Sequence, residues 1–190
     1  MKRLPLALLL VGCAGTPAAS SENSTDVPEQ VSIPTPVQPP PMQLVLADLS
    51  GVVNGKWVNK ATAVGGAVQT DALVQLAEGG VERLINLRGL NELSGEEATL
   101  AAEASLEFIH LPITGMADFT DEFLQEFDRL ISEEIPTLVH CASGNRVGAA
   151  FALHAKAYRG ATVEESLELG KRHGLTSLES AVRDRLQESP

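Results

Sequence analysis

Two side chains in the stretch TLVHCASGNRVGAAF, residues 137–151, could do chemistry together: the thiol of Cys141 and the guanidinium of Arg146, separated by Ala142, Ser143, Gly144 and Asn145. The run before Cys141 is apolar and the run after Arg146 is alanine-rich, so the spacing predicts a strand ending at Cys141, a tight turn at Gly144 and a helix from about Asn145. The N–H groups at that helix start, with those of the loop from Ala142 to Arg146, can converge on an anion, and the helix dipole adds positive potential. Both effects favour a thiolate at Cys141. Arg146, one turn on, is placed to fork onto two oxygens of a phosphate or another tetrahedral oxyanion. The pattern is that of a nucleophile inside an anion cradle. The competing reading of Cys141 is a small buried apolar residue at a strand end.

Other polar residues carry less. His140 reads as structural, since its strand should be buried and a ring nitrogen can bond backbone. Arg88 after INL reads as a solvated or paired group rather than a pocket residue, and His110 and His173 as surface or edge residues. Asp118 is a loop residue able to reach the pocket, whereas Asp121 sits in a first helical turn, where acids suit the dipole. No metal-ligand spacing is present.

The elements that must position these residues alternate. Extended patterns occur at WVNKATAVGG, VERLINLRG, LEFIHLPI and TLVH. Between them lie TDALVQLAEGG, capped by Thr70 and ended by Gly79 and Gly80, SGEEATLAAEA with a Ser94…Glu97 capping box, and TDEFLQEFDRLISEE capped by Thr120 with Phe123, Phe127, Leu130 and Ile131 on one face. The tail adds two helices opening with Thr162…Glu165 and Thr176…Glu179 boxes, the last docking through Leu178, Val182 and Leu186. Such alternation predicts an α/β fold in three layers, a mostly parallel sheet of four to five strands covered on both faces. Cys141 then falls at the carboxyl end of a central strand, where open α/β sheets place ligands.

The start of the chain, MKRLPLALLLVGC, has a basic beginning, a short apolar run and small residues before Cys13, the layout of a secretory signal too short to span a bilayer. Leu10 to Cys13 resembles a bacterial lipobox, which implies cleavage and lipidation at Cys13. The alternative is an ordinary signal cut nearby. With two cysteines in all, lipid on Cys13 leaves Cys141 without an intramolecular disulfide partner. Residues 14–42 hold seven of the eleven prolines and no Lys or Arg, so they read as a tether unable to fold, leaving residues 43–190 as one domain. The formal net charge of −11 argues against nucleic acid and against direct adhesion to an anionic membrane. The expected location is the bacterial cell envelope, lipid-anchored and facing the periplasm.

VHCASGNRVG resembles the signature loop of cysteine-dependent phosphatases. Together with GGAVQTDALVQLAEGGVERLINLRG and FIHLPITG, it is similar to the bacterial beta-lactamase-hydrolase-like phosphatase family, including phosphatase domains fused to NAD kinase, within the dual-specificity protein tyrosine phosphatase superfamily. The resemblance implies a cysteine-dependent tyrosine phosphatase-like fold and hydrolysis of a phosphomonoester without metal or other cofactor. It makes Cys141 the nucleophile and phosphocysteine site, Arg146 the phosphate clamp, His140 a loop-orienting neighbour and a phosphorylated small molecule or protein the partner. Three departures stand out. The Cys141-to-Arg146 spacing is one residue shorter than in ordinary tyrosine phosphatases and matches rhodanese loops. Val147 replaces the hydroxyl residue that helps the thiolate leave. The general-acid aspartate is off its usual offset, which points to Asp118. The rivals are a rhodanese-like sulfurtransferase carrying a persulfide on Cys141 and a non-catalytic phosphate- or sulfate-binding module.

Overall fold

The computed structural model describes residues 46–188 except Ser94. The signal with Cys13 and the whole Pro-rich tether therefore lie outside the described residues.

Five strands form one sheet: β1 (Lys56–Trp57), β2 (Thr62–Gly65), β3 (Arg83–Asn86), β4 (Glu107–His110) and β5 (Thr137–His140). Their order is β1-β2-β5-β3-β4, with β2, β5, β3 and β4 parallel and only β1 antiparallel. WVNKATAVGG is thus a hairpin rather than one extended segment. The Asn59 side chain turns it, its Oδ1 accepting the N–H groups of Ala61 at 2.8 Å and Thr62 at 2.7 Å, and so β1 closes one edge.

Side chains of a strand alternate between faces, and the two central strands carry apolar residues at consecutive positions. Ala63, Leu84 and Leu138 go to one face, where α1 (Ala72–Glu78) and α2 (Glu97–Glu103) cover them with Leu73, Leu76 and Ala101. Val64, Ile85 and Val139 go to the other, beneath α3 (Asp121–Ile131), α4 (Asn145–Arg159), α5 (Val163–Arg172) and α6 (Glu179–Glu188). The three-layer parallel architecture follows.

Two helix starts obey the sequence. The Thr120 hydroxyl caps α3 by accepting the Phe123 N–H, and Thr162 with Glu165 closes a reciprocal capping box on α5. Three do not. Asp71 rather than Thr70 occupies the N-cap of α1, without a side-chain bond. Glu96 caps α2, and Glu97 turns inward instead of back to its own helix start. Ahead of α6, the Asn145 side chain takes the capping role, its Oδ1 accepting the N–H groups of Thr176 at 2.8 Å and Leu178 at 3.3 Å. Glu179 points to Lys171 and Arg183.

The helix that starts at the candidate loop is fixed by backbone contact. A Cβ on Gly148 of α4 would stand 2.0 Å from the Leu175 nitrogen, and one on Gly170 of α5 would stand 2.8 Å from the Gly148 carbonyl oxygen. Glycine lets α4 and α5 meet backbone to backbone, which sets the height of α4 against β5.

Candidate functional site

Strand β5 delivers Cys141 to the carboxyl edge of the sheet, and α4 starts four residues later with Gly144 as its cap. Gly144 has φ 95°, a left-handed turn that a side chain would strain, and its N–H donates to the Cys141 Sγ at 3.2 Å. Cys141 is the free cysteine of the described region and is buried. The loop is held from outside. Asn54 Nδ2 donates to the Ser143 carbonyl at 3.2 Å, Ala67 N–H to the Ala142 carbonyl at 3.0 Å, and a Cβ on Gly66 would collide with the Ala142 oxygen at 2.8 Å. Gly66 therefore does more than end a strand: it admits the loop beside it, while the missing side chain of Gly65 makes room for Val52 and Gly55. Asn145 binds through its side chain to the segment before α6, leaving its backbone to the loop.

Arg146 leans across the carboxyl ends of β3 and β4. Its Nη1 and Nη2 donate to the two oxygens of Glu92 at 2.6 and 2.7 Å, and Nη1 also donates to the Ile113 carbonyl at 2.8 Å. The Arg146 hydrogen bonds, reinforced by the Gly89 N–H, pull the Glu92 carboxyl down to about 2 against the opposing effect of burial. The same pair raises the Arg146 guanidinium, with Cys141 adding to the rise. The short helical turn Leu90–Glu92 carries the partner, and the chain separation of 54 residues leaves no local signal for it in the sequence.

Beneath β5, His140 is fully buried, and burial followed by the charge of Arg88 lowers it to about 3, so it is neutral. Its Nε2 lies 3.3 Å from Oε1 of Glu97, whose other oxygen accepts from Asn86 Nδ2 at 2.8 Å and lies 3.9 Å from Arg88 Nη1. Burial raises the Glu97 carboxyl in spite of Arg88 and Asn86. A Glu97 that keeps its proton can donate to neutral His140, which gives partners to two otherwise unsatisfied buried atoms. Arg88 is thus a paired group. His110 is half-buried on the edge strand, with Nε2 at 2.7 Å from the Arg88 carbonyl. His173, expected at the surface, is buried against Phe151 with ring centroids 4.2 Å apart.

Above the loop lies a cavity of 240 Å³ whose walls include Ser143, Asn145 and Arg146 on one side and Ile113, Met116 and Phe119 on the other, with Leu178 at its margin. Cys141, 1% exposed, is not among the residues that line it. An adjoining cavity of 390 Å³ is lined by Glu92 and Asp118 and shares Thr114 with the first. Asp118 itself closes a turn: one of its oxygens accepts from Thr114 N and Oγ1, both at 2.6 Å, and from Gly115 N at 3.0 Å. The Thr114 hydroxyl, then the two backbone N–H groups, lower its carboxyl. Asp121 stands exposed in the first turn of α3, as expected for a dipole-favoured acid. Among the described residues no group of three or more His, Cys, Asp or Glu could hold a metal ion.

Residues 60–161, which take in the buried thiol after β5, the start of α4 and Arg146, match the family described as polymorphic toxin system, DSP-PTPase phosphatase. The chain belongs to this family. It is also 32% identical over 124 residues to beta-lactamase hydrolase-like proteins of Xylella fastidiosa strains Temecula1 and 9a5c, a match covering 62% of this chain and 28% of theirs. The chain thus spans little more than a quarter of those relatives' length. Similar solved structures share the fold. The active form of Tk-PTP superposes with TM-score 0.57 at 20% identity, over 72% of this chain and 97% of that one. TpbA of P. aeruginosa in complex with pTyr gives 0.54 at 17%, over 72% and 84%. The core catalytic domain of a PP-IP phosphatase from S. cerevisiae gives 0.58 at 13%, over 73% and 87%.

Proposed function

We propose that this phosphatase-family chain hydrolyses a phosphomonoester through a phosphocysteine on Cys141. The observation that carries the reading is the Cys141 sulfur bonded to the Gly144 N–H at the start of α4, with Arg146 held beside it by Glu92. Cys141 Sγ attacks phosphorus; the S–P bond forms as the bond to the leaving oxygen breaks, and that oxygen takes a proton from Asp118. Water then attacks phosphorus, returns a proton to Asp118 and frees the thiolate. Ala142, Ser143, Gly144 and Asn145 offer backbone N–H groups to the equatorial oxygens, and Arg146 adds its charge.

The apolar wall of Ile113, Met116, Phe119 and Leu178 suits an aromatic leaving group, and a tyrosine phosphate is bound by the similar P. aeruginosa protein. We place the protein at the cell envelope through lipid on Cys13, a reading supported by the signal and lipobox pattern alone. Cys13→Ser should move the protein out of the detergent phase, and unchanged partition defeats the anchor.

The deciding experiment is mass spectrometry of rapidly quenched protein. A phosphoryl group on Cys141 after exposure to an aryl phosphate, absent in Cys141→Ser, supports the mechanism. A persulfide formed from thiosulfate and discharged to a thiol, with no phosphate release, would replace it with sulfur transfer, the chemistry favoured by the short Cys141-to-Arg146 spacing. Tight phosphate binding with no adduct of either kind would leave a binding module.

A further inference from the structure

In a chain with 14 Lys and Arg against 25 Asp and Glu, carboxylates are in excess and every cation could be paired. Among the described residues Arg83, Arg88, Arg129, Arg146, Lys171 and Arg183 each pair with one. Lys56, Lys60, Lys156, Arg159 and Arg172 have no carboxylate at ion-pair distance among the described residues. Four of these five line adjoining cavities.

Lys60 and Arg159 line a cavity of 770 Å³ beside the β1–β2 turn. Arg159 and Arg172 line the next, of 230 Å³, which shares Asn59, Thr62 and Ile131 with the first. Lys56 and Lys171 line a third, of 340 Å³, joined to the second at His173 and reaching Ser143 and Gly144. One carboxylate, Glu134, stands in the walls of the three. Burial, and after it the charges of Arg172, Lys56 and Arg159, lowers the buried His173 imidazole against the pull of the Leu169 carbonyl, which disfavours a further cation there. Arg159 and Arg172 sit in the last turns of α4 and α5, where the helix dipole favours them. That explains neither Lys56 nor Lys60, which come from the hairpin.

We propose that this groove binds an acidic polypeptide segment of a partner protein, laid from the β1–β2 turn toward the back of the Cys141 loop. Exposed guanidinium and ammonium groups along a groove match a row of carboxylates. Val58, Ile131, Phe151 and Leu169 between the cations offer apolar contact to the intervening side chains, and Asn59 and Thr62 offer polar contact to main chain. Concavity favours a polypeptide over a bilayer, which would rest on the rims. The inference is independent of the chemistry at Cys141.

Fluorescence anisotropy of a labelled peptide alternating Glu and Val, with the full chain, tests it. Binding should weaken at least about tenfold in Arg159→Glu/Arg172→Glu and weaken less in Arg159→Gln/Arg172→Gln, in keeping with loss of close charge pairs. Raising ionic strength should weaken it as well. Cys141→Ser should bind like the unaltered protein, and both arginine pairs should retain its activity toward a small aryl phosphate. No binding by the unaltered protein, equal binding of the Gln-for-Glu peptide, or indifference to both arginine pairs overturns the proposal. So does adsorption to phosphatidylserine vesicles that outcompetes the peptide, which would assign the face to a membrane. If the Glu pair loses its native circular dichroism, the Gln pair decides.

Discussion

Glu92 grips Arg146 by the end of its guanidinium, one carboxylate oxygen to each terminal nitrogen, at 2.6 and 2.7 Å. Such end-on pairing occupies one edge of the fork and leaves the edge formed by Nε and one Nη for two oxygens of a bound anion. Glu92 accordingly acts as a positioning residue: it fixes the angle of the arginine without covering its recognition edge.

Glu92→Gln keeps the size of the clamp but loses its charge and one of its two acceptors. We expect kcat/KM toward an aryl phosphate to fall roughly tenfold to a hundredfold, the range that misplacement of an oriented group commands. Inhibition by inorganic phosphate should weaken in parallel. Acid reports the same pair: because the folded value is about 2 against an ordinary 4.5, the clamp's contribution to stability is complete above 4.5 and is lost as pH falls toward 2. Steady-state kinetics with unchanged parameters would remove Glu92 from the site.

The sequence exposes the Cys141 loop because its parts are local: an apolar run, a glycine able to take φ 95° and an arginine within one turn. The mostly parallel character of the sheet and the caps at Thr120 and Thr162 are legible from equally local patterns, though the order of the strands is not. Glu92 is not, since its partner is 54 residues away. Glu97 misleads more actively: it has the spacing of a capping box, yet desolvation of the neighbouring His140 and Asn86 is better relieved by turning it inward. A net charge of −11 likewise conceals the basic groove, because composition averages over faces.

The Glu97–His140 contact predicts an opposition in the dependence of stability on pH. His140 has a folded value of about 3 against 6.5, so its contribution is complete above 6.5 and is lost on acidification toward 3, at up to about 1.4 kcal/mol per pH unit. Glu97 is raised from 4.5, so its contribution is complete below 4.5 and is lost as pH rises through the folded value. From 4.5 up to the folded value of Glu97 the two slopes oppose. Glu97→Gln removes one of them, and urea midpoints should then fall more steeply on acidification across that window than in the unaltered protein. A shallower fall would mean that Glu97 is ionised beside a protonated His140.

Asp118 is lowered by the Thr114 and Gly115 donors that it holds. A proton donor with a depressed value is protonated in a fraction that drops tenfold for each pH unit above it, so esters with poor leaving groups should be turned over best in acid. Aryl phosphates, which depart with little protonation, should depend on pH far less. Asn at this position can still accept the backbone N–H groups, so Asp118→Asn isolates the proton. Turnover of an alkyl phosphate should fall at least about tenfold while aryl phosphate turnover changes little. Equal losses on both substrates would reduce Asp118 to a turn cap.

Val147 follows Arg146 in the first turn of α4 and packs entirely within the core that Cys141 also joins. A methyl group there cannot donate to a departing sulfur, so breakdown of the phosphocysteine should be the slow step and a burst of leaving group should precede steady turnover. Val147→Thr places a hydroxyl in nearly the same volume. We expect a smaller burst and a severalfold faster steady state, at a cost of about 1–3 kcal/mol in stability for the newly buried polar group. The two readouts separate the causes. A stability loss without any change in burst or turnover would show that sulfur departure does not limit the cycle, and the proton-transfer step at Asp118 would become the next candidate.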